Sequence, residues 1–204
     1  MSASASFVKS LLAQCCLGGI CEWVVCPGAR NMALLQVLAA AEDLVKWTHF
    51  DERSAAFFAL GRIQDMGLPV AVVTTSGTAA AELLPAVVEA YYQRRPLLLL
   101  TADRPADYRG SAAPQAIEQA DLFGIYAPTI DLETPDSLPE DILEDWDYAS
   151  PLHINVCLPD PDPAWNPGNC DLYPAEPPED SEFRGSLAEL ALSLIHISEP
   201  TRLR

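Results

Sequence analysis

Two rhythms of apolar and polar residues alternate along the chain. Short β-rich runs occur at EWVVC (22–26), VKWTHF (45–50), VAVVTT (70–75), PLLLLT (96–101), APTIDL (127–132) and LHINV (152–156). Between them, longer helical patterns predict helices near 31–41, 53–66, 78–92, 115–123 and 138–149. An amphipathic helix precedes them all and is stopped by Gly18-Gly19. Apolar strands separated by helices predict βαβ crossovers. The expected fold is α/β, a doubly wound, mostly parallel six-stranded sheet with helices on both faces.

In such a sheet every strand-to-helix turn falls on one edge, and ligands bind outside the carboxyl ends of the strands. The turns on that edge read CPGAR (26–30), FDERS (50–54), TTSGTA (74–79) and TADRP (101–105). Each alone is what tight turns and helix starts use anyway. Together they gather Arg30, Glu52, Thr75, Ser76, Gly77 and Arg104 into one crevice, a combination that turn chemistry does not require.

The rhythm stops after residue 157. The stretch LPDPDPAWNPGNCDLYPAEPPEDSE (158–182) holds seven prolines and many acidic residues, too stiff and polar for a core element. The expected organisation is an α/β domain over 1–157, a Pro-rich acidic linker over 158–182, and the start of a further domain over 183–204, with a short helix at 183–194. The residues LSLIHISEPTR (192–202) match the translation of a transposon adapter used in preparing DNA libraries and are expected to be non-native.

Charge narrows the partners. With 12 basic and 29 acidic residues the chain carries −17, which argues against nucleic acid and anionic membrane surfaces. Any anionic ligand must be met by a few placed arginines. The six cysteines have no zinc-site spacing and the three histidines, His49, His153 and His196, form no cluster, so reduced, mostly buried thiols in a cytoplasmic protein are expected. No apolar run approaches the roughly 18 residues of a membrane span.

Five ordered motifs, CPGAR, THFDERSAAFFALG, VVTTSGTAAAELLPAVVEA, LLLLTADRP and APQAIEQ, resemble the pyrimidine-binding domain of the thiamine-diphosphate-dependent enzymes over about residues 5–160. The pairing of TADRP with APQAIEQ is similar to the menaquinone-pathway carboligases more than to acetolactate synthase-like relatives. The resemblance implies a transferase that decarboxylates 2-oxoglutarate and adds the succinyl-semialdehyde unit to isochorismate, using thiamine diphosphate and Mg²⁺, as a homodimer or homotetramer. It also implies roles. Glu52 is the catalytic carboxylate that hydrogen-bonds the cofactor's pyrimidine ring, and for this it should be desolvated with a raised pKa. Pro27, Thr75, Ser76 and Gly77 are implied to contact the cofactor with Glu52, while Arg30, Arg104 and Gln115 are implied to bind the anionic substrates.

Each residue has a plainer reading too. Asp51 or Glu52 favours the positive end of the following helix, Ser76 or Thr75 caps a helix, the arginines form structural ion pairs, and Gln115 is a polar residue opening a helix. The family commonly has Ser-Arg-Ser-Thr after Pro-Gly, whereas Ala29-Arg30-Asn31-Met32 stand here, so one serine hydroxyl toward substrate is missing. The GDG and Asn-rich sequence that holds Mg²⁺ in the family is also missing, so its ligands are expected in a further C-terminal domain. The residues given would then carry half a site and be inactive alone. The alternatives are an acetolactate synthase-like carboligase and a non-catalytic α/β binding or assembly domain.

Overall fold

The computed structural model describes residues 3–162 and 164–174. Its elements run α1 (Ala3–Leu17), β1 (Glu22–Val25), α2 (Met32–Ala40), β2 (Val45–Thr48), α3 (Glu52–Met66), β3 (Val70–Thr74), α4 (Thr78–Ala81), α5 (Leu84–Tyr92), β4 (Leu97–Asp103), β5 (Thr129–Leu132) and β6 (Leu152–Cys157). The six strands form one sheet in the order β2-β1-β3-β4-β6-β5, and every pair is parallel. The expected doubly wound α/β sheet is therefore present.

Side chains of a strand alternate between its faces, and the core divides accordingly. On the first face Trp23, Val25, Ala71, Val73, Leu98 and Leu100 pack with α1 and α2. On the second, Val24, Val70, Val72, Leu97 and Leu99 pack with α3 and α5. Helix α1 docks because Phe7, Val8, Leu11, Leu12, Cys15 and Cys16 recur at helical spacing and form one buried stripe. Burying such a stripe stabilises the fold by about 25 cal/mol per Å² of apolar surface. Strand β2 lies at the edge and is largely exposed.

Three helix expectations are corrected. The pattern over 78–92 divides into α4 and α5 at Pro85, which has no N–H for the helical bond to the carbonyl four residues back. The expected helix at 115–123 is a chain of turns followed by a single 3₁₀ turn at Gly124–Tyr126. Gln115 and Asp121 take left-handed backbone angles, φ 55° and 60°, which a right-handed helix cannot contain. The expected helix at 138–149 is also turns. There Asp141 accepts from Leu143 N, Asp147 accepts from Ala149 N, and Tyr148 has φ 53°, so local side-chain bonds replace the helical ladder.

The described residues of the Pro-rich stretch, 158–162 and 164–174, form no helix or strand and lie against the sheet's first-face layer. Leu158, Cys170 and Leu172 join that core, Lys9 donates to the carbonyl of Pro167 and Gln36 to that of Trp165. The expected helix at 183–194 and the segment 192–202 lie outside the described residues. All six cysteines are free. Among the described residues no helix is long and apolar enough to cross a membrane.

Candidate functional site

Chain order reverses direction between β1 and β3: from β1 the chain moves to β2 on one side, then returns to β3 on the other. A crevice opens at such a switch point, outside the carboxyl ends of the strands. The turns after β1 and β3 flank it, with the start of α3 and the segment after β4 on either side.

The turn after β1 is closed by Asn31. Its amide donates to the Cys26 carbonyl at 2.9 Å, and its carbonyl accepts from Gly28 N at 2.9 Å. Asn31 is fully buried, and these two bonds hold the turn together. Pro27 is exposed at the turn's tip. Gly28 lies so close to the next turn that a Cβ there would sit 2.5 Å from the Thr75 Cβ, which only glycine avoids. Arg30 is buried at 8% exposure, and its guanidinium donates to the Leu158 carbonyl at 3.1 Å and to Asp160 at 2.8 Å. In this chain it engages the segment after β6.

The junction at 51–52 separates two carboxylates. Asp51 is the N-cap of α3, and its side chain accepts from Ser54 N at 2.7 Å. Glu52 occupies the first helical position, is partly buried, and accepts no hydrogen bond among the described residues. The capping role therefore falls to Asp51. Burial, with the negative charges of Glu52 and Asp51 adding to it, pushes the thiol of Cys26 up to about 12, so this wall of the crevice stays neutral.

Thr75 and Ser76 are buried at the end of β3, and Gly77 follows with φ 81° and ψ −137°, a conformation open to glycine. Its N–H donates to Gln119 Oε1 at 3.0 Å. The segment from Arg104 to Gln119 folds over this edge as a strap. Arg104 is partly buried, donates from Nε to the Pro114 carbonyl at 3.0 Å and lies over the Tyr108 ring. Gln115 is exposed, and its backbone lies against Gly77, where a Cβ would meet it at 3.0 Å.

Beneath the strap the second face of the sheet turns polar. Gln119 donates to the Ala102 carbonyl at 3.1 Å and to Asn155 Oδ1 at 2.8 Å. Asn155 also accepts from Thr101 and donates to Asp103 and Asp131. The Thr101 hydroxyl, having donated to Asn155, accepts from His153 Nε2, and His153 Nδ1 then accepts from the Thr129 hydroxyl. Burial pushes the pKa of His153 down to about 3, so the ring is neutral. Burial raises that of Asp103, against hydrogen bonds from Asn155 and Arg104 N that lower it. Arg109 closes the system with ion pairs to Asp131 and Glu133, each at 2.8 Å.

The structure thus brings Pro27, Thr75, Ser76, Gly77 and Gln115 to adjoining turns of one edge, with Glu52 near Cys26 on the same edge and Arg104 in the strap. Arg30 is on this edge too, with its charge engaged by Asp160. Asn31, Asp103, Arg109, Gln119 and Asn155 are the residues that sequence reasoning missed. Alternation in LLLLTAD and LHINVC carried a signal: on one face of each strand Thr101 and Asp103, and His153 and Asn155, replace the apolar residues.

The residues present fit the pyrimidine end of thiamine diphosphate: a carboxylate with free lone pairs, a neutral apolar wall and a tight glycine turn. Among the described residues no group of three or more His, Cys, Asp or Glu side chains could hold a metal ion.

Comparison with known proteins places the domain in a family. Residues 8–122 match the family model described as thiamine pyrophosphate enzyme, N-terminal TPP binding domain. The chain is 93% identical over 194 residues to a 2-succinyl-5-enolpyruvyl-6-hydroxy-3-cyclohexene-1-carboxylate synthase of Akkermansia muciniphila, covering 95% of this chain and 36% of that protein. Proteins of the same name from Bdellovibrio bacteriovorus and Geobacillus thermodenitrificans are 46% and 45% identical, over 70% and 77% of this chain and 27% and 28% of their own lengths. The chain therefore spans about a third or less of these curated relatives.

Proposed function

The chain belongs to the thiamine pyrophosphate enzymes through their N-terminal TPP-binding domain, and from that premise we propose that it is the pyrimidine-binding part of a carboligase of menaquinone biosynthesis. The whole protein decarboxylates 2-oxoglutarate and adds the succinyl-semialdehyde unit to isochorismate, giving 2-succinyl-5-enolpyruvyl-6-hydroxy-3-cyclohexene-1-carboxylate. The observation that carries the reading is the division of labour at 51–52: Asp51 caps α3, and Glu52 keeps its carboxylate free at the crevice.

Thiamine diphosphate, when bound, supplies the carbon nucleophile. Glu52 would hold a proton at the pyrimidine ring nitrogen, and Pro27, Thr75, Ser76 and Gly77 would pack against that ring. Arg104 and Gln115, on the strap, face the carboxylates of the substrates. Arg30 joins them only after releasing Asp160. Mg²⁺ and its ligands belong to a further domain. Self-association completes the site, and the apolar surface of Trp47, Phe50 and Phe57, with Phe50 at 95% exposure, supports a second copy as the partner. These 204 residues alone are proposed to be inactive.

The test is an assay of the full-length gene product for 2-oxoglutarate-dependent consumption of isochorismate. Glu52→Gln should lower kcat by about 10²–10⁴-fold without changing the melting temperature. Coupling of pyruvate in place of both substrates would favour the acetolactate synthase-like reading. Absence of any thiamine-dependent turnover would leave a binding or assembly role.

A further inference from the structure

The peptide of Gly77 is held in an unusual way. Its φ and ψ, 81° and −137°, lie where other residues rarely go, and its N–H precedes the first turn of α4, so no helical carbonyl can receive it. A glycine has wide conformational freedom, and a buried N–H without a partner is costly. One side chain resolves both problems. Gln119 is fully buried and accepts from Gly77 N at 3.0 Å, while its amide nitrogen donates to the Ala102 carbonyl and to Asn155 Oδ1.

The orientation of this amide is unambiguous. Gly77 N–H can only donate and the Ala102 carbonyl can only accept, so the oxygen faces Gly77 and the nitrogen faces β4. Asn155 is fixed in the same way, because its amide nitrogen faces the carboxylates of Asp103 and Asp131. The turn after β3 is thus tied, through one side chain of the strap, to the carboxyl ends of β4 and β6. The same strap carries Gln115 against Gly77 and receives Arg104 on the Pro114 carbonyl.

We propose that Gln119 is a positioning residue: it fixes the conformation of the Gly77 turn and its separation from the strap bearing Gln115, and so sets the gap between the cofactor side and the substrate side of the crevice. The assignment of those two sides rests on the function proposed above. The geometric claim does not.

Selective ¹⁵N-glycine labelling of this chain separates the two. It contains 10 glycines, so Gly77 and Gly28 can be followed individually. In Gln119→Met, similar in length but unable to make these bonds, exchange of the Gly77 amide should rise at least about tenfold. The Gly28 amide, held by Asn31, should be unchanged. Gln119→Glu keeps an acceptor for Gly77 but loses the amide donor to the Ala102 carbonyl and Asn155, so it should restore only part of the protection. Equal exchange at Gly77 in wild type and Gln119→Met, or an equal rise at Gly28, overturns the proposal. If Gln119→Met does not fold, the wild-type chain still decides: a coupling across the hydrogen bond between Gly77 N and the side-chain carbonyl carbon of Gln119 is required, and its absence overturns the proposal. Titration with thiamine diphosphate should shift both glycines in wild type and Gly77 less in Gln119→Met. No shift in wild type would count against cofactor binding by this chain, with the exchange result standing on its own.

Discussion

The second face of the sheet is covered in two different ways, and the contrast explains much of the molecule. Over β1 and β3 it is roofed by α3 and α5, with Val24, Val70, Val72, Ala56, Ala59 and Val87 buried between them. Over the carboxyl ends of β4, β6 and β5 it is roofed by the strap and the turns that follow it, and the contact is a hydrogen-bonded network of Thr101, Asp103, Gln119, Asp131, His153 and Asn155. Helix packing is held by area and tolerates local change gradually. A polar network is held by matched donors and acceptors, and one missing group leaves several buried partners unsatisfied. The first roof is suited to stability, and the second to holding a turn in one place.

Truncation should expose this difference most strongly under the helices. Leu99→Ala opens a cavity beneath that roof and should cost about 2–5 kcal/mol, read in urea as a lower midpoint for all elements together. Asn155→Leu keeps the volume but strips partners from Asp103, Gln119 and Thr101. It should cost about 2–4 kcal/mol, and hydrogen exchange should quicken in 104–126 before it does in β1 and β3. A uniform response to both would erase the distinction between the two roofs.

Acid sharpens the comparison further. The folded pKa of His153, about 3, lies below its ordinary value of 6.5. Between these values the unfolded chain binds a proton that the folded chain excludes, so stability falls as pH falls through that window. The slope from this residue is about 1.4 kcal/mol per pH unit, or about 2 kcal/mol between pH 6.5 and 5. His153→Gln should remove that increment while the carboxylates, present in both proteins, continue to titrate. Chemical denaturation of the two proteins across this range measures the difference.

The smallest effects separate the neighbours at the start of α3. Asp51→Ala should lower the melting temperature measurably through loss of the N-cap bond. Glu52→Gln should stay within about 0.5 kcal/mol, because its carboxylate supports no bond among the described residues. Equal losses in thermal unfolding would mean that both carboxylates serve the helix, and would weaken the case for Glu52 as the free group.

Elements with one dominant signal were legible in advance. The strands are short apolar runs between turn residues, and each of the four unusual turns falls on the carboxyl edge because parallel connections leave no alternative. The region from 104 to 149 was misread as helical at 115–123 and 138–149. Apolar spacing there fits a helix, but Gln115, Asp121 and Tyr148 adopt left-handed angles, and Asp141 and Asp147 bond their own backbone. Asn31 and Gln119 were overlooked for a related reason. A polar side chain in a turn looks the same in sequence whether it faces water or closes a buried gap.

Residue order alone therefore determined the α/β class, the parallel strands, the edge where the turns meet and the presence of Glu52 on it, since these follow from local periodicity and the geometry of crossovers. Tertiary structure decided which carboxylate caps the helix, that Arg30 is engaged by Asp160, and that Gln119, 42 residues beyond Gly77, fixes that turn. Those outcomes depend on which donor and acceptor lie within about 3 Å once the sheet is assembled, and that distance has no counterpart along the chain.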